Sequence, residues 1–327
     1  MTILSQGKYR ILLIPTLIIV LFALFAYFSD SVLGQVSPDA IAIRVIPNPN
    51  HYSARRWYLE KKFTGSPQSL LVDGYEAVRD GRSVYVDAAN IVGSGNGQLY
   101  TNIYIISYNQ EAEKSTIDIF GQILEHWSFN VNVTTVGQCD VTLSRSCLKD
   151  SECPLAEHCL SPKARIIRDT RRLADLAEIK IGLEKYKTVH GSYVTLLAGS
   201  YLPQTSISVW PSWQKVLSVE LGLGSSLPID PINKLGACPG DYNPVTCWDE
   251  KTKRFADRNP GNNVLDLPAG SQAYIYISTV DGASFTICAV MESGLVSGTG
   301  SGSCSSTGNV NVSQTEPRTP HLLLSSI

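Results

Sequence analysis

Residues 163–189 read KARIIRDTRRLADLAEIKIGLEKYKTV, and they indicate how the second half of the chain is organised. They lack proline, and their apolar side chains recur at steps of three and four residues, at Leu173, Leu176, Ile179, Leu183 and Tyr186. That spacing predicts one long amphipathic helix whose apolar stripe packs on another element. Ser161-Pro162 predicts its N-terminus and Gly191 its end.

The arginines early in this helix have two interpretations. Arg165, Arg168, Arg171 and Arg172 form a basic run that could face lipid head groups or an acidic partner. The alternative is an ordinary solvated helix face.

The residues after the helix predict a small antiparallel sheet. Residues 271–280 (SQAYIYISTV) and 283–292 (ASFTICAVME) alternate as strands do, and Asp281-Gly282 between them is a strong hairpin signal. Residues 210–223 (WPSWQKVLSVELGL) predict a second, shorter helix. The second half is therefore predicted as a long helix packed on a small sheet.

The region before the long helix, residues 35–137, reads as β-rich. Strands are predicted at AIAIRVIP, SVYVDAANIV, LYTNIYIISYN and FNVNVTTV, which begin at residues 40, 83, 99 and 129. Residues 116–127 (TIDIFGQILEHW) are the helical candidate of this region. We expect a β-sandwich or small barrel with a helix attached.

An apolar run near the N-terminus predicts export. Residues 11–28 read ILLIPTLIIVLFALFAYF without a charge, and a bilayer core needs about 20 such residues, with a lower limit of about 17. Lys8 and Arg10 precede the run, so a single-pass anchor in the cell membrane with an extracytoplasmic remainder is predicted. A signal peptide cleaved after Val32-Leu33-Gly34 is the alternative, and both interpretations export the chain.

The cysteines agree with export. All eight follow the apolar run, and an even number in an exported chain indicates disulfides, with zinc ligands and free thiols as alternatives. They are Cys139, Cys147, Cys153, Cys159, Cys238, Cys247, Cys288 and Cys304. Sequence proximity suggests Cys238–Cys247 and Cys288–Cys304 as pairs. The first four lie in a stretch with few aliphatic residues, which we expect covalent links to hold.

The chain is predicted as an α+β protein in five parts. These are a cytoplasmic stub with the anchor or signal peptide (1–34), a β-rich extracytoplasmic domain (35–137), a disulfide-rich connector (138–160), a helix-and-sheet domain (161–296) and a flexible Ser/Gly-rich tail (297–327).

The composition and motifs exclude several functions. The 327 residues are 17% charged with a net charge of -2, so the basic face that nucleic acid requires is not expected. No HExxH, GxSxG or GxGxxG motif occurs, and we expect no catalytic residues and no enzymatic activity. A hydrolase that uses two acids distant in sequence would leave no local pattern. Trp57, Tyr58 and Trp127 are candidates for a sugar-binding platform, with a core role as the alternative.

One stretch resembles a known family. Residues 173–194 (LADLAEIKIGLEKYKTVHGSYV) resemble the amphipathic half of the first helix, with its terminal turn, in type IV pilins and type II secretion major pseudopilins. The matching residues are Asp175, Ile179, Leu183, Tyr186, His190, Gly191 and Tyr193. The later LP-x-DP-x-N loop, at 227–233, and the hairpin extend the resemblance over residues 164–296. In that family the apolar segment runs directly into this helix, whereas here residues 29–163 separate them.

The resemblance implies a pilin-like module with a structural or adhesive role at the cell envelope. It also implies pilus or secretion-system subunits as partners, besides the lipid bilayer at residues 11–28. The runner-up is a surface module for glycans or another ligand, and an envelope hydrolase is third.

The resemblance further implies a calcium ion near the last strands. The candidate oxygen ligands are Asp230, Asn233, Asp241, Asn243 and Asp249. The alternative is that these residues serve as turn formers, and no other cofactor is expected.

Overall fold

A computed structural model describes residues 39–92, 97–196, 204–208, 212–224, 226–232 and 272–295. It gives the backbone alone at 248–249, 254–255, 296–297 and 321–325. The protein is a mixed α and β structure with antiparallel sheets before and after one long helix.

The first half forms one open sheet instead of the predicted sandwich or barrel. Its strands are β1 (Ile41–Pro47), β2 (Gln68–Val72), β3 (Tyr75–Asp80), β4 (Ser83–Val92) and β5 (Gln98–Tyr108). They pair antiparallel in the order β1-β5-β4-β3-β2, and β13 (Val296–Ser297) joins β5 in parallel. The sheet is open, which means that its two outer strands in this order, β1 and β2, do not pair with each other.

The predicted strand at residues 129–136 is wrong. Asn130 has a positive φ of 49°, and its carbonyl accepts a hydrogen bond from the Val133 amide at 2.8 Å. The backbone of Phe129 donates to Asp73 at 2.8 Å. A turn therefore replaces the strand, because these local bonds occupy the backbone groups that a ladder would use.

Two helices cover this sheet, α1 (Ala54–Glu60) and α2 (Lys114–His126). Neighbouring strand residues point to opposite faces. Val78 and Tyr85, which are paired, pack with Tyr58 of α1, whereas Ala77 and Val86 belong to the core that contains Phe120 of α2. The sequence predicted α2 and missed α1.

The connector is closed by two disulfides. Cys139 bonds to Cys153 and Cys147 bonds to Cys159. Its regular elements are short, namely β6 (Gly137–Gln138), β7 (Ser146–Cys147) and a 3₁₀ turn at Asp150–Glu152. The disulfides supply the stabilisation that so small a segment lacks.

The predicted long helix is α3 (Pro162–His190). The Ser161 side chain accepts a hydrogen bond from the Ala164 amide at 3.0 Å, and Gly191 ends the helix in the left-handed conformation. The apolar stripe is buried from Leu173 to Leu183, as its spacing predicted.

The second sheet also packs on α3. It contains β8 (Thr205–Ile207), β11 (Ile275–Ser278), β12 (Phe285–Val290) and β14 (His321–Ser325), in the antiparallel order β14-β12-β11-β8. The predicted second helix corresponds to a π-helical turn at Trp213–Leu217 followed by Ser218–Glu220. A further short pair is β9 (Trp248–Asp249) with β10 (Arg254–Phe255).

The two sheets share one core with α3. Buried side chains of the first sheet (Val86), the helix (Leu176) and the second sheet (Ile287) belong to one continuous apolar cluster. In the described part of the chain, no helix is both long enough and apolar enough to cross a bilayer. The predicted anchor at residues 11–28 lies outside it.

Candidate functional site

A cleft of about 310 Å³ lies where the first sheet, the connector and α3 meet. Its walls come from the β2–β3 turn, from residues 149–158 of the connector and from residues 164–174 of α3. Apolar Leu71 and Ile167 and charged Glu76, Asp87 and Arg171 are among the lining residues. This volume is at the lower end of the range of small-molecule sites, about 300–1,000 Å³.

Asp73 fixes the β2–β3 turn against the connector and α3. Its carboxylate lies 3.0 Å from Nζ of Lys149 and 2.7 Å from Nζ of Lys163. Asp73 and Gly74 both have positive φ values, 52° and 87°. The turn therefore adopts a left-handed backbone that presents one carboxylate to two lysines.

Arg168 joins the cleft wall to the second sheet. Its side chain is 3% exposed, and its guanidinium donates to both oxygens of Glu292 at 2.6 and 2.8 Å. Nη1 donates to Asp150 at 2.6 Å and to the Cys159 carbonyl at 3.1 Å. One side chain thus binds the disulfide-closed connector and the residues just after β12.

Arg172, one helical turn later, is fully buried. It donates to both oxygens of Asp230 at 2.8 and 2.9 Å, and its Nη1 donates to Asp169 at 2.8 Å and to Glu292 at 2.6 Å. Asp169 also accepts the backbone amides of Glu292 and Ser293. Each buried charge therefore has several partners, which is the condition for tolerating it in a core.

Burial and the arginine charges act in opposite directions on the pKa values of the carboxylates in this network. Burial alone raises the pKa of Glu292, but the guanidinium groups of Arg172 and Arg168 outweigh it and hold that pKa at about 2. Burial raises the pKa of Asp169, and Arg172 opposes the rise. Glu292 is consequently ionised at neutral pH, as its two arginine partners require.

Three further carboxylates lie near the cleft. Arg171 lies 3.5 Å from Glu76 and 3.9 Å from Asp175. Burial raises the pKa of Asp175 to about 7, and its side chain accepts a 2.7 Å hydrogen bond from the Tyr274 hydroxyl. Burial also raises the pKa of Asp87 well above its ordinary range; the hydrogen bond from Asn48 opposes this, and the charge of Glu76 adds to it.

The basic run predicted from the sequence divides into two kinds of residue. Arg168 and Arg172 are buried ion-pair residues, whereas the Arg171 side chain is 51% exposed. No local signal distinguishes them, since their partners Asp230 and Glu292 lie far away in the sequence.

The predicted calcium ligands are not brought together in the described residues. Asp230 is 1% exposed, and both of its oxygens bind Arg172. Asn233, Asp241 and Asn243 lie outside the described residues, and only the backbone of Asp249 is described. A calcium site in this region remains a prediction.

The three aromatic candidates lie in two ring clusters. Trp57 and Tyr58 are buried against Phe63 and Tyr85. Trp127 packs on Phe129, with 5.8 Å between ring centroids. The burial of Trp57 and Tyr58 corresponds to the core alternative rather than to an open platform.

The cysteine cluster is covalently closed. Cys139, Cys147 and Cys153 lie close enough to ligate one metal ion, but all three are in disulfides and lack the thiolate that zinc requires. Cys288 is also disulfide-bonded. The predicted pairs Cys238–Cys247 and Cys288–Cys304 involve residues outside the described part of the chain.

Comparisons of the chain with family models, curated proteins and solved structures found no match.

Proposed function

We propose that this chain is an exported, membrane-tethered protein of the cell envelope with a structural or adhesive role. Its second half would act as a pilin-like module that contacts the subunits of a pilus or a type II secretion-like assembly. The disulfide-closed connector is the observation that carries this proposal, because such bonds form and persist in oxidising compartments.

One of the two disulfides lies beside the start of the long helix, and this position supports export. Cys147 and Cys159 are 2% and 0% exposed, and their bond adjoins the N-terminus of α3. Cys159 also supplies the carbonyl that Arg168 binds. A reducing compartment would break a bond on which the start of the long helix depends.

The turn after α3 supports the pilin-like part. The amide of Tyr193 donates to the Gly282 carbonyl at 2.8 Å, and its ring packs edge-on against Phe285 with a centroid distance of 4.7 Å. The end of the helix is thereby docked on the β11–β12 hairpin. This is the helix–turn–sheet order on which the resemblance to pilins rests.

The start of α3 sets a limit on this likeness. The helix begins at the Ser161 cap, directly after the connector, and its first turns carry buried charges such as Arg168 and Asp169. A helix with this beginning does not continue an apolar segment. We therefore propose a partner of the assembly rather than an ordinary filament subunit.

Fractionation of native cells tests the proposal. Cells are treated with a protein crosslinker and surface filaments are sheared off. The filament, membrane and soluble fractions are then analysed by mass spectrometry for this chain and its N-terminus. We expect the intact chain in the membrane fraction, crosslinked to assembly subunits through α3 or the second sheet. Recovery from the soluble cytoplasm would contradict export, and a membrane-bound chain without such crosslinks would contradict the assembly role alone.

A further inference from the structure

One buried acidic side chain that lines the cleft, Asp87, differs from the cleft's cations in its partners. The cations Lys149, Arg168 and Arg171 each lie within 3.5 Å of a carboxylate oxygen. Asp87 faces the same cleft and is 3% exposed, yet among the described residues it has no ion-pair partner. A carboxyl group that is buried without a counter-charge stays in its neutral, protonated form until a cation is supplied.

The hydrogen bonds of Asp87 do not supply that charge. Asn48 donates to Oδ1 of Asp87 at 3.0 Å. Asn48 is itself buried, and it binds the backbone carbonyl and amide of Tyr52 at 2.7 and 3.1 Å. Asp87 therefore contacts a neutral, fully engaged amide.

Glu76 is a second acidic side chain of the same cleft. Its side chain is 47% exposed, and Arg171 approaches it from one side at 3.5 Å. The two carboxylates thus belong to one site, with Asp87 on the buried side and Glu76 on the solvent side. Leu71 and Ile167 add apolar wall beside them.

We propose that this cleft binds an aliphatic amine whose primary ammonium group pairs with Asp87 and Glu76. An ammonium group supplies the counter-charge that allows Asp87 to ionise, and it donates three hydrogen bonds without a fixed coordination geometry. The hydrocarbon part of the ligand lies along Leu71 and Ile167, where its burial is favourable.

A metal ion fits the same place less well. Among the described residues, the group of three or more potential ligands that lie close together is the cysteine cluster of the connector, which does not include Asp87 or Glu76. Calcium requires about six to eight oxygens, whereas an ammonium group is satisfied by two carboxylates and a water molecule.

Calorimetric titration of the full-length protein in detergent tests the proposal, with 1,5-diaminopentane as the probe and the neutral 1,5-pentanediol as its matched control. We expect saturable binding of one diamine per chain and none of the diol. Absence of saturable diamine binding at millimolar concentrations, or tighter binding of calcium than of the diamine at this site, would overturn the proposal.

Substitutions of cleft residues test whether the diamine binds in the cleft. Asp87→Asn keeps the oxygen that accepts from Asn48 and removes the charge, so we expect an affinity loss of about tenfold or more. Asp80→Asn is the matched control, since Asp80 accepts a hydrogen bond from Tyr58 and does not line the cleft. If Asp87→Asn does not fold, the diamine affinity of Glu76→Gln is measured instead, because Glu76 is exposed. Unchanged affinity in the folded cleft variant overturns the proposal.

Discussion

Arg172 and Asp230 lie 58 residues apart and form a bidentate ion pair in which both side chains are fully buried. The same guanidinium donates to Asp169 and to Glu292. One side chain thereby joins α3, the loop at residues 226–232 and the residues after β12. The packing of the second sheet on the long helix is expected to depend on this contact.

Arg172→Met should be severely destabilising. It leaves Asp169, Asp230 and Glu292 without their shared cation, and removal of one partner of a buried pair costs about 3–5 kcal/mol. Urea denaturation measures the free energy of unfolding. Arg171→Met is the control, and because Arg171 is half-exposed we expect a loss below about 1 kcal/mol. Similar losses in both variants would contradict the role given to Arg172.

The two disulfides should contribute unequally. Each closes a short segment, 12 residues for Cys147–Cys159 and 14 for Cys139–Cys153, and bonds of this kind contribute about 3 kcal/mol. Replacement of Cys147 and Cys159 together by serine should cost more, because Cys159 also binds Asp150 and Arg168 through its backbone. Denaturation under non-oxidising conditions compares the two double variants, and the opposite order would contradict this role.

Gly282→Ala should weaken the docking of the helix end on the hairpin. Gly282 has a φ of 65°, and an added Cβ would lie 2.7 Å from the Tyr193 carbonyl oxygen. Gly191→Ala is the matched control, since Gly191 also has a positive φ, 79°, but an added Cβ meets no atom within 4 Å. We expect about 1 kcal/mol for Gly191→Ala and a clearly larger loss for Gly282→Ala. Equal melting temperatures would show that the contact is unimportant.

Asp175 should make stability pH-dependent. Its pKa is raised from 3.8 to about 7, so between these values the folded protein holds a proton that the unfolded chain has released. The free energy of unfolding therefore falls as pH rises through this window, and the contribution is constant above it.

Asp175→Asn removes this slope while keeping an acceptor for Tyr274. The variant should match the wild type near pH 4 and exceed its stability by a few kcal/mol at pH 8. Denaturation at several pH values measures the difference between the two proteins. A difference that does not change with pH would contradict the burial of this carboxyl group.

The long helix could be predicted because its signals are local. The capping residue Ser161, the apolar stripe from Leu173 to Leu183 and the terminal Gly191 all lie within one continuous segment. The β11–β12 hairpin was predicted for the same reason, since Asp281-Gly282 marks its turn. Elements of this kind depend little on the rest of the chain.

The open first sheet and the cleft depend on distant contacts and were not predicted. Pairing of β13 with β5 joins residues about 200 positions apart. Asp87 reads as one polar residue in an alternating strand, and it becomes notable only because the fold buries it without an ion-pair partner among the described residues. The burial of Arg168 and Arg172 likewise follows from Glu292, more than a hundred residues later.

The redox state of the four connector cysteines in living cells reports whether the chain is exported into oxidising surroundings. Cells are quenched in acid, free thiols are alkylated, and peptides of the purified chain are mapped without reduction. We predict linked peptides for Cys139–Cys153 and Cys147–Cys159 and no alkylation of these four residues. Full alkylation of all four would contradict export.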